Sequence, residues 1–199
     1  MRGMVTPMDE HDFPFRQGNS FHLLINGQHF FPVMLEAIRG ARRQIVMEMY
    51  LVESGRIASR FVRALTEAAR RGVCVQLLLD AFGCRAFSGQ DREQLVEGGV
   101  QLAFYNPLQL RRPKNNLLRT HRKFLVIDTA VAYVGGTGIT DFFAGEGGWR
   151  ETMLEARGPV VADWQTLFVR NWEDCTGTAA RPVLKAPASA RDQRGRVVW

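Results

Sequence analysis

His121, Lys123 and Asp128 are spaced as H-x-K-x4-D, and Gly135-Gly136-Thr137-Gly138 follows after one further short apolar run. A neutral imidazole, with an ordinary pKa of about 6.5, can attack phosphorus near neutral pH or pass a proton to a departing oxygen. The ammonium two residues on supplies fixed charge. A pentavalent phosphorane carries more negative charge on its equatorial oxygens than the diester it forms from. A cation placed there therefore stabilises the transition state over the ground state. Phosphoryl chemistry of this kind requires neither metal ion nor cofactor. The glycine-rich turn can bring the backbone N–H groups of Gly135 and Gly136, and the Thr137 hydroxyl, to the same phosphate.

Such residues need a rigid strand beneath them. Phe124-Leu125-Val126-Ile127 is a continuous apolar run, flanked by basic residues before it and Asp128-Thr129 after it, and reads as a strand buried on both faces. Alternation along that strand puts His121 and Lys123 on one face at its mouth, with Asp128 at its far end. Residues 21–25 read as a short strand closed by the Asn26-Gly27 turn, and residues 31–43 as a helix with Pro32 in its first turn. Residues 44–52 switch to a period of two, with Glu48 and Tyr50 sharing a face. Residues 57–71 are an amphipathic helix stopped at Gly72, and residues 73–80 are an almost wholly apolar strand. A short helix over 91–97, strands over 100–104, 130–134 and 150–157, and a last helix opened by Gly158-Pro159 complete the pattern. This β-α-β-α-β order predicts a layered α/β/α fold with a mixed, mostly parallel central sheet.

At 199 residues and 22.5 kDa the chain has room for one substantial core. Residues 1–20 read as loosely ordered, 21–174 as the domain, and 175–199 as a linker running into the start of another strand at Val197-Val198-Trp199. A net charge of +6 suits an anionic partner, either phospholipid headgroups or nucleic acid. Cys74, Cys84 and Cys175 lack metal-ligand spacing and read as reduced thiols. No apolar run approaches the ~18–20 residues that span a bilayer, and Asp9, Glu10 and His11 stand where a signal peptide would be apolar. The expected location is peripheral, on the cytoplasmic face of the inner membrane. Residues 108–119 mix leucines with Arg111, Arg112, Lys114 and Arg119, a composition for a loop resting on an anionic bilayer or, more plainly, for a solvated basic loop.

H-R-K-F-L-V-I-D, then V-G-G-T-G-I-T-D, then W-R-E-T-M-L-E-A-R-G-P-V-V with F-V-R-N-W, resembles the phospholipase D superfamily in its bacterial cardiolipin synthase branch. The likeness runs from about residue 19 to 174. It implies phosphatidyl transfer through a phosphohistidine, with His121 as nucleophile and Lys123 on the phosphate oxygens. Asp128 would hold strand and loop. Glu151 would accept a hydrogen bond from the far ring nitrogen of His121, Glu48 would position Lys123 or an arginine, and Arg119 would join the phosphate-binding set. The chain departs from the family pattern twice. Gly138 occupies the place of a phosphate-holding asparagine, and one motif is present where the family uses two, since His11, His22 and His29 lack the lysine and aspartate. The resemblance therefore implies a half-site completed by a homodimer or by a carboxyl-terminal half, acting on an anionic phospholipid such as phosphatidylglycerol at a membrane surface. Two competing readings are a homodimeric phosphodiesterase acting on nucleic acid and a non-catalytic, lipid-binding half.

Overall fold

The computed structural model describes residues 13–107, 119–145, 147–189 and 191–198. In chain order its elements are β1 (Arg16–Ile25), α1 (Gly27–Gly40), β2 (Gln44–Met49), α2 (Arg56–Arg70), β3 (Cys74–Asp80), α3 (Gly89–Glu97), β4 (Gln101–Tyr105), β5 (Lys123–Ile127), β6 (Val131–Gly135), β7 (Thr152–Arg157), α4 (Val160–Thr176) and β8 (Gln193–Gly195). One eight-stranded sheet takes the order β4-β3-β2-β5-β6-β7-β1-β8. Every residue of β5 is buried, as its unbroken apolar run requires, because it lies between β2 and β6 with helices on both faces.

Alternation divides the core. Ile45, Met47, Leu125, Ile127 and Tyr133 face α1 and α2, where Phe31, Phe61 and Leu65 meet them. Val46, Leu78, Phe124, Val126 and Ala132 face α4, beneath Val161, Leu167, Phe168 and Trp172. The layered α/β/α expectation holds and the sheet is mixed, but its parallel share is smaller than expected. Only β2-β3 and β3-β4 are parallel; β2-β5, β5-β6, β6-β7, β7-β1 and β1-β8 are antiparallel. The reason lies in the connections. Helical crossovers return a strand parallel, whereas the three-residue link between β5 and β6 can join only antiparallel neighbours.

Both ends of the chain depart from the expected boundaries. β1 begins at Arg16, five residues before the predicted strand. The segment read as a linker folds back: the Arg181 N–H donates to Gln76 Oε1 at 3.1 Å, and the Leu184 N–H donates to Thr129 Oγ1 at 3.3 Å. Its chain then adds β8 to the sheet edge beside β1, and Val197 is buried just after that strand.

Asp128 lies at the opposite end of β5 from His121. Its carboxylate accepts from the backbone N–H groups of Arg42, Arg43 and Gln44 at 2.9, 2.8 and 2.8 Å, tying the β5-β6 turn to the start of β2. Asp128 and Thr129 both have φ of 53°, the left-handed pair that a tight antiparallel hairpin demands. Asp128→Ala removes the acceptor of three charge-assisted hydrogen bonds at once. It should lower unfolding free energy by about 2–4 kcal/mol, read as a fall in urea midpoint at constant m-value, with Asp128→Asn losing less.

Candidate active site

The site stands at the end of the sheet where β5 begins. Lys123 is buried along its length, and its Nζ lies 3.3 Å from His121 Nδ1 while donating to the His121 carbonyl at 2.9 Å. Tyr50 completes the group: its ring centroid is 4.5 Å from that of His121, and Lys123 Nζ sits 5.1 Å from the same ring. Alternation had placed Tyr50 on the face of Glu48, but β2 ends at Met49 and the turn beyond it redirects the side chain. An ammonium has only donors to offer, so this contact makes Nδ1 an acceptor and leaves the imidazole proton on Nε2. Burial lowers the Lys123 pKa, and the charge of Glu151 opposes that shift.

Glu151 precedes β7 and packs over the glycine turn. A Cβ at Gly136 would stand 2.6 Å from Glu151 Oε2, so the carboxylate reaches this position only because residue 136 has no side chain. Its Oε1 accepts from the Thr152 N–H at 2.9 Å, while Nδ1 of His121 is engaged by Lys123. Gly135 ends the β6 ladder opposite Met153 and Gly136 is exposed, as a backbone approach to a ligand requires. Thr137 differs from expectation: its hydroxyl is buried and donates to the Gly138 carbonyl at 3.0 Å, inside the turn. At Gly138 an added Cβ would meet the Leu51 carbonyl at 2.7 Å and Leu51 Cβ at 2.8 Å. The asparagine of the family pattern therefore has no room here without movement of Leu51.

Two buried carboxylates hold the residues around His121. Asp80, at the end of β3, accepts the Thr120 N–H at 3.2 Å and lies 3.8 Å from Arg119 Nη1. Arg119 also donates to the Asn106 carbonyl at 3.0 Å and lies over the Phe82 ring. On the other side Glu48 accepts the Thr120 hydroxyl, takes the Asn171 amide from α4 at 3.0 Å on each oxygen, and lies 3.6 Å from Arg122 Nη1. Glu48 is wholly buried on the α4 face, the side opposite Lys123, so of its two expected partners it meets the arginine, through Arg122. Sequence reasoning missed Asp80, Thr120 and Asn171. The loop of residues 108–118, read as basic and leucine-bearing, lies outside the described residues. No cluster of three or more His, Cys, Asp or Glu suited to a metal ion occurs among the described residues, and no helix there is long and apolar enough to cross a membrane.

Burial raises the Glu48 carboxyl above its ordinary range, and the donors from Thr120, Arg122 and Asn171 pull it only partly back. The folded protein then retains a proton that the unfolded chain has already released. Stability from this group is full below the unfolded pKa and is lost as pH rises through the folded one. Urea midpoints taken against pH should therefore fall with rising pH more steeply in the wild type than in Glu48→Gln; equal slopes would remove Glu48 from the account. Gly138→Asn should lower stability by about 1–3 kcal/mol, the usual cost of overpacking, in the same measurement.

The chain matches the family described as cardiolipin synthase, PLD-like domain, over residues 34–172. It is 36% identical over 160 residues to the cardiolipin synthase of Geobacillus kaustophilus, covering 78% of this chain and 32% of that protein. With cardiolipin synthase A of Pseudomonas aeruginosa it shares 32% identity over 200 residues, covering 90% of this chain and 41% of the relative. It thus spans well under half the length of these curated relatives. Among solved structures, the phospholipase D family member Nuc from Salmonella typhimurium superposes with a TM-score of 0.60 at 16% identity, covering 90% of this chain and 99% of that one. NucT from Helicobacter pylori gives a TM-score of 0.61 at 18% identity, covering 81% and 98%. These two likenesses bear on fold alone. With the family match running across most of the sheet and through the His121-Lys123 pair, the chain belongs to the phospholipase D-like domain family of the cardiolipin synthases.

Proposed function

We propose that this domain supplies one half of a phosphatidyltransferase site, in which His121 is the nucleophile and Lys123 the phosphate clamp. The observation that carries this reading is the His121-Lys123 contact at the open end of a fully buried strand. Nε2 of His121 attacks phosphorus, a P–N bond forms, and the bond from phosphorus to the departing alcohol oxygen breaks. A histidine from a second motif gives that oxygen its proton. An acceptor alcohol then attacks phosphorus, loses its proton to the same partner histidine, and the P–N bond breaks to restore His121. Attack through Nε2 requires its lone pair, so the ring proton must move to Nδ1. Glu151, whose charge acts on Lys123, holds that proton in this reading once Lys123 turns from Nδ1 to the incoming phosphate.

Gly135 and Gly136 offer backbone N–H groups to the phosphate. Asp80, Glu48 and Thr120 act as positioning residues by fixing the residues on either side of His121. Arg119, drawn to Asp80 and Asn106, serves the rim of the site. Asp128 is structural. The missing motif comes from a second copy of this chain or from a carboxyl-terminal half, the domain works at the cytoplasmic membrane surface, and its substrate is an anionic phospholipid of the phosphatidylglycerol type.

A nucleic-acid phosphodiesterase remains the competing reading, supported by the net charge of +6. Light scattering run beside phosphatidylglycerol and single-stranded DNA turnover assays separates the two. A dimer that converts the lipid, loses at least about 10³-fold of its rate in His121→Ala and accumulates an acid-labile phosphoprotein in wild type is the expected result. If the domain is a monomeric half, the same loss should appear only after a second motif is supplied. Turnover of DNA with none of lipid would overturn the proposal.

A further inference from the structure

Three segments that build the site also build the walls of a cavity beside it. Tyr50 is followed by Leu51, the Gly136-Thr137-Gly138 turn runs on to Thr140, and Trp149 stands two residues before Glu151. Leu51, Glu53, Thr140, Phe142, Phe143 and Trp149 together line an open pocket of about 220 Å³. Phe142 is 67% exposed and Trp149 74% exposed, although both belong to this one pocket.

Hydrogen bonds on three sides hold the pocket in shape. The Ile139 N–H donates to the Leu51 carbonyl at 2.9 Å and the Glu53 N–H to the Ile139 carbonyl at 3.1 Å, which locks the floor. Asp141 accepts the Ile57 N–H at 2.8 Å and the Arg56 N–H at 3.1 Å, capping α2 and fixing the loop that carries Phe142. The Trp149 N–H donates to the Phe142 carbonyl at 3.0 Å and closes the rim. Gly138 matters here too, because a side chain at that position would run into Leu51 and displace the floor.

We infer that this pocket receives a hydrocarbon chain of an amphiphilic phosphodiester whose phosphate lies between His121 and Lys123. The inference rests on the phosphodiester reading given above and adds the site for the apolar part. Charge complementarity selects the occupant. A cationic phosphate site opens beside an apolar pocket, with Arg56 projecting largely into solvent nearby, so the matching ligand has an anionic head and an apolar tail. Glu53 on the lip disfavours a phosphate within the pocket and so fixes the polarity of entry. Exposed Trp and Phe at the rim suit the water-hydrocarbon boundary, where an amphipathic ring has both phases to meet.

The test compares two soluble ligands with the same headgroup, dihexanoylphosphatidylglycerol below its micelle concentration and glycerophosphoglycerol, by isothermal titration of the full chain. Each buried methylene strengthens binding roughly fourfold, so the acylated ligand should bind at least about tenfold more tightly. In the double variant Phe142→Ser, Trp149→Ala that preference should disappear while affinity for glycerophosphoglycerol stays unchanged; Phe142→Leu, Trp149→Phe should retain it. Far-UV circular dichroism and the urea midpoint confirm that each variant is folded. Headgroup binding with no gain from the chains, or a preference that survives in the serine-alanine variant, would overturn the pocket alone. Binding of neither ligand to wild type would overturn the phosphodiester reading with it. A wild-type dimer that becomes monomeric in the double variant would instead identify the pocket as a subunit contact, and the inference would fall.

Discussion

The constraint on which the rest depends is the burial of two carboxylates at one end of the sheet. Asp80 and Glu48 close β3 and β2 on either side of residue 120, and neither is exposed. An ionised carboxylate taken out of water must be repaid with donors, and each finds them in the segment that carries His121. Asp80 takes the Thr120 N–H and attracts Arg119; Glu48 takes the Thr120 hydroxyl and attracts Arg122. The electrostatic need of the core and the geometric need of the site are thus met by the same contacts. His121 is exposed, but the residues on both sides of it are anchored.

The arrangement extends along β5. At one end His121 faces solvent beside the buried Lys123, and at the other Asp128 ties the strand to the beginning of β2 through three backbone donors. Between them the four residues 124–127 are all buried, so side chains at the mouth are presented by a strand with little freedom to shift. The Asp128 interaction explains why the motif spans eight residues. Its aspartate binds the backbone of residues 42–44, at the opposite end of β5 from His121.

Glycine usage around the site follows from close approach. Gly136 admits the Glu151 carboxylate, and Gly138 admits Leu51. The second leaves Leu51 packed where a side chain at residue 138 would stand. Tyr50 makes a comparable change, leaving the strand direction to pack against His121 and Lys123.

Local signals in the sequence determined a good deal. The unbroken apolar run of β5, the helical spacing of α1, α2 and α4, and the pairing of His121 with Lys123 depend on periodicity, which neighbouring residues express by themselves. The role of Asp128 as a brace was legible because it falls just past the strand. Tertiary structure decided what depends on residues far apart in the chain. Thr120 gains meaning only when Glu48, 72 positions away, is folded against it, and Asn171 only when α4 crosses the same carboxylate. The sheet is largely antiparallel because β5 inserts beside β2, a choice that no helix-strand alternation records. The polar tail has the composition of a linker, yet its backbone groups pair with Gln76 and Thr129 and its last strand covers a sheet edge. Composition reports how much apolar surface a segment can bury, but not which backbone donors and acceptors the rest of the fold has left for it to satisfy.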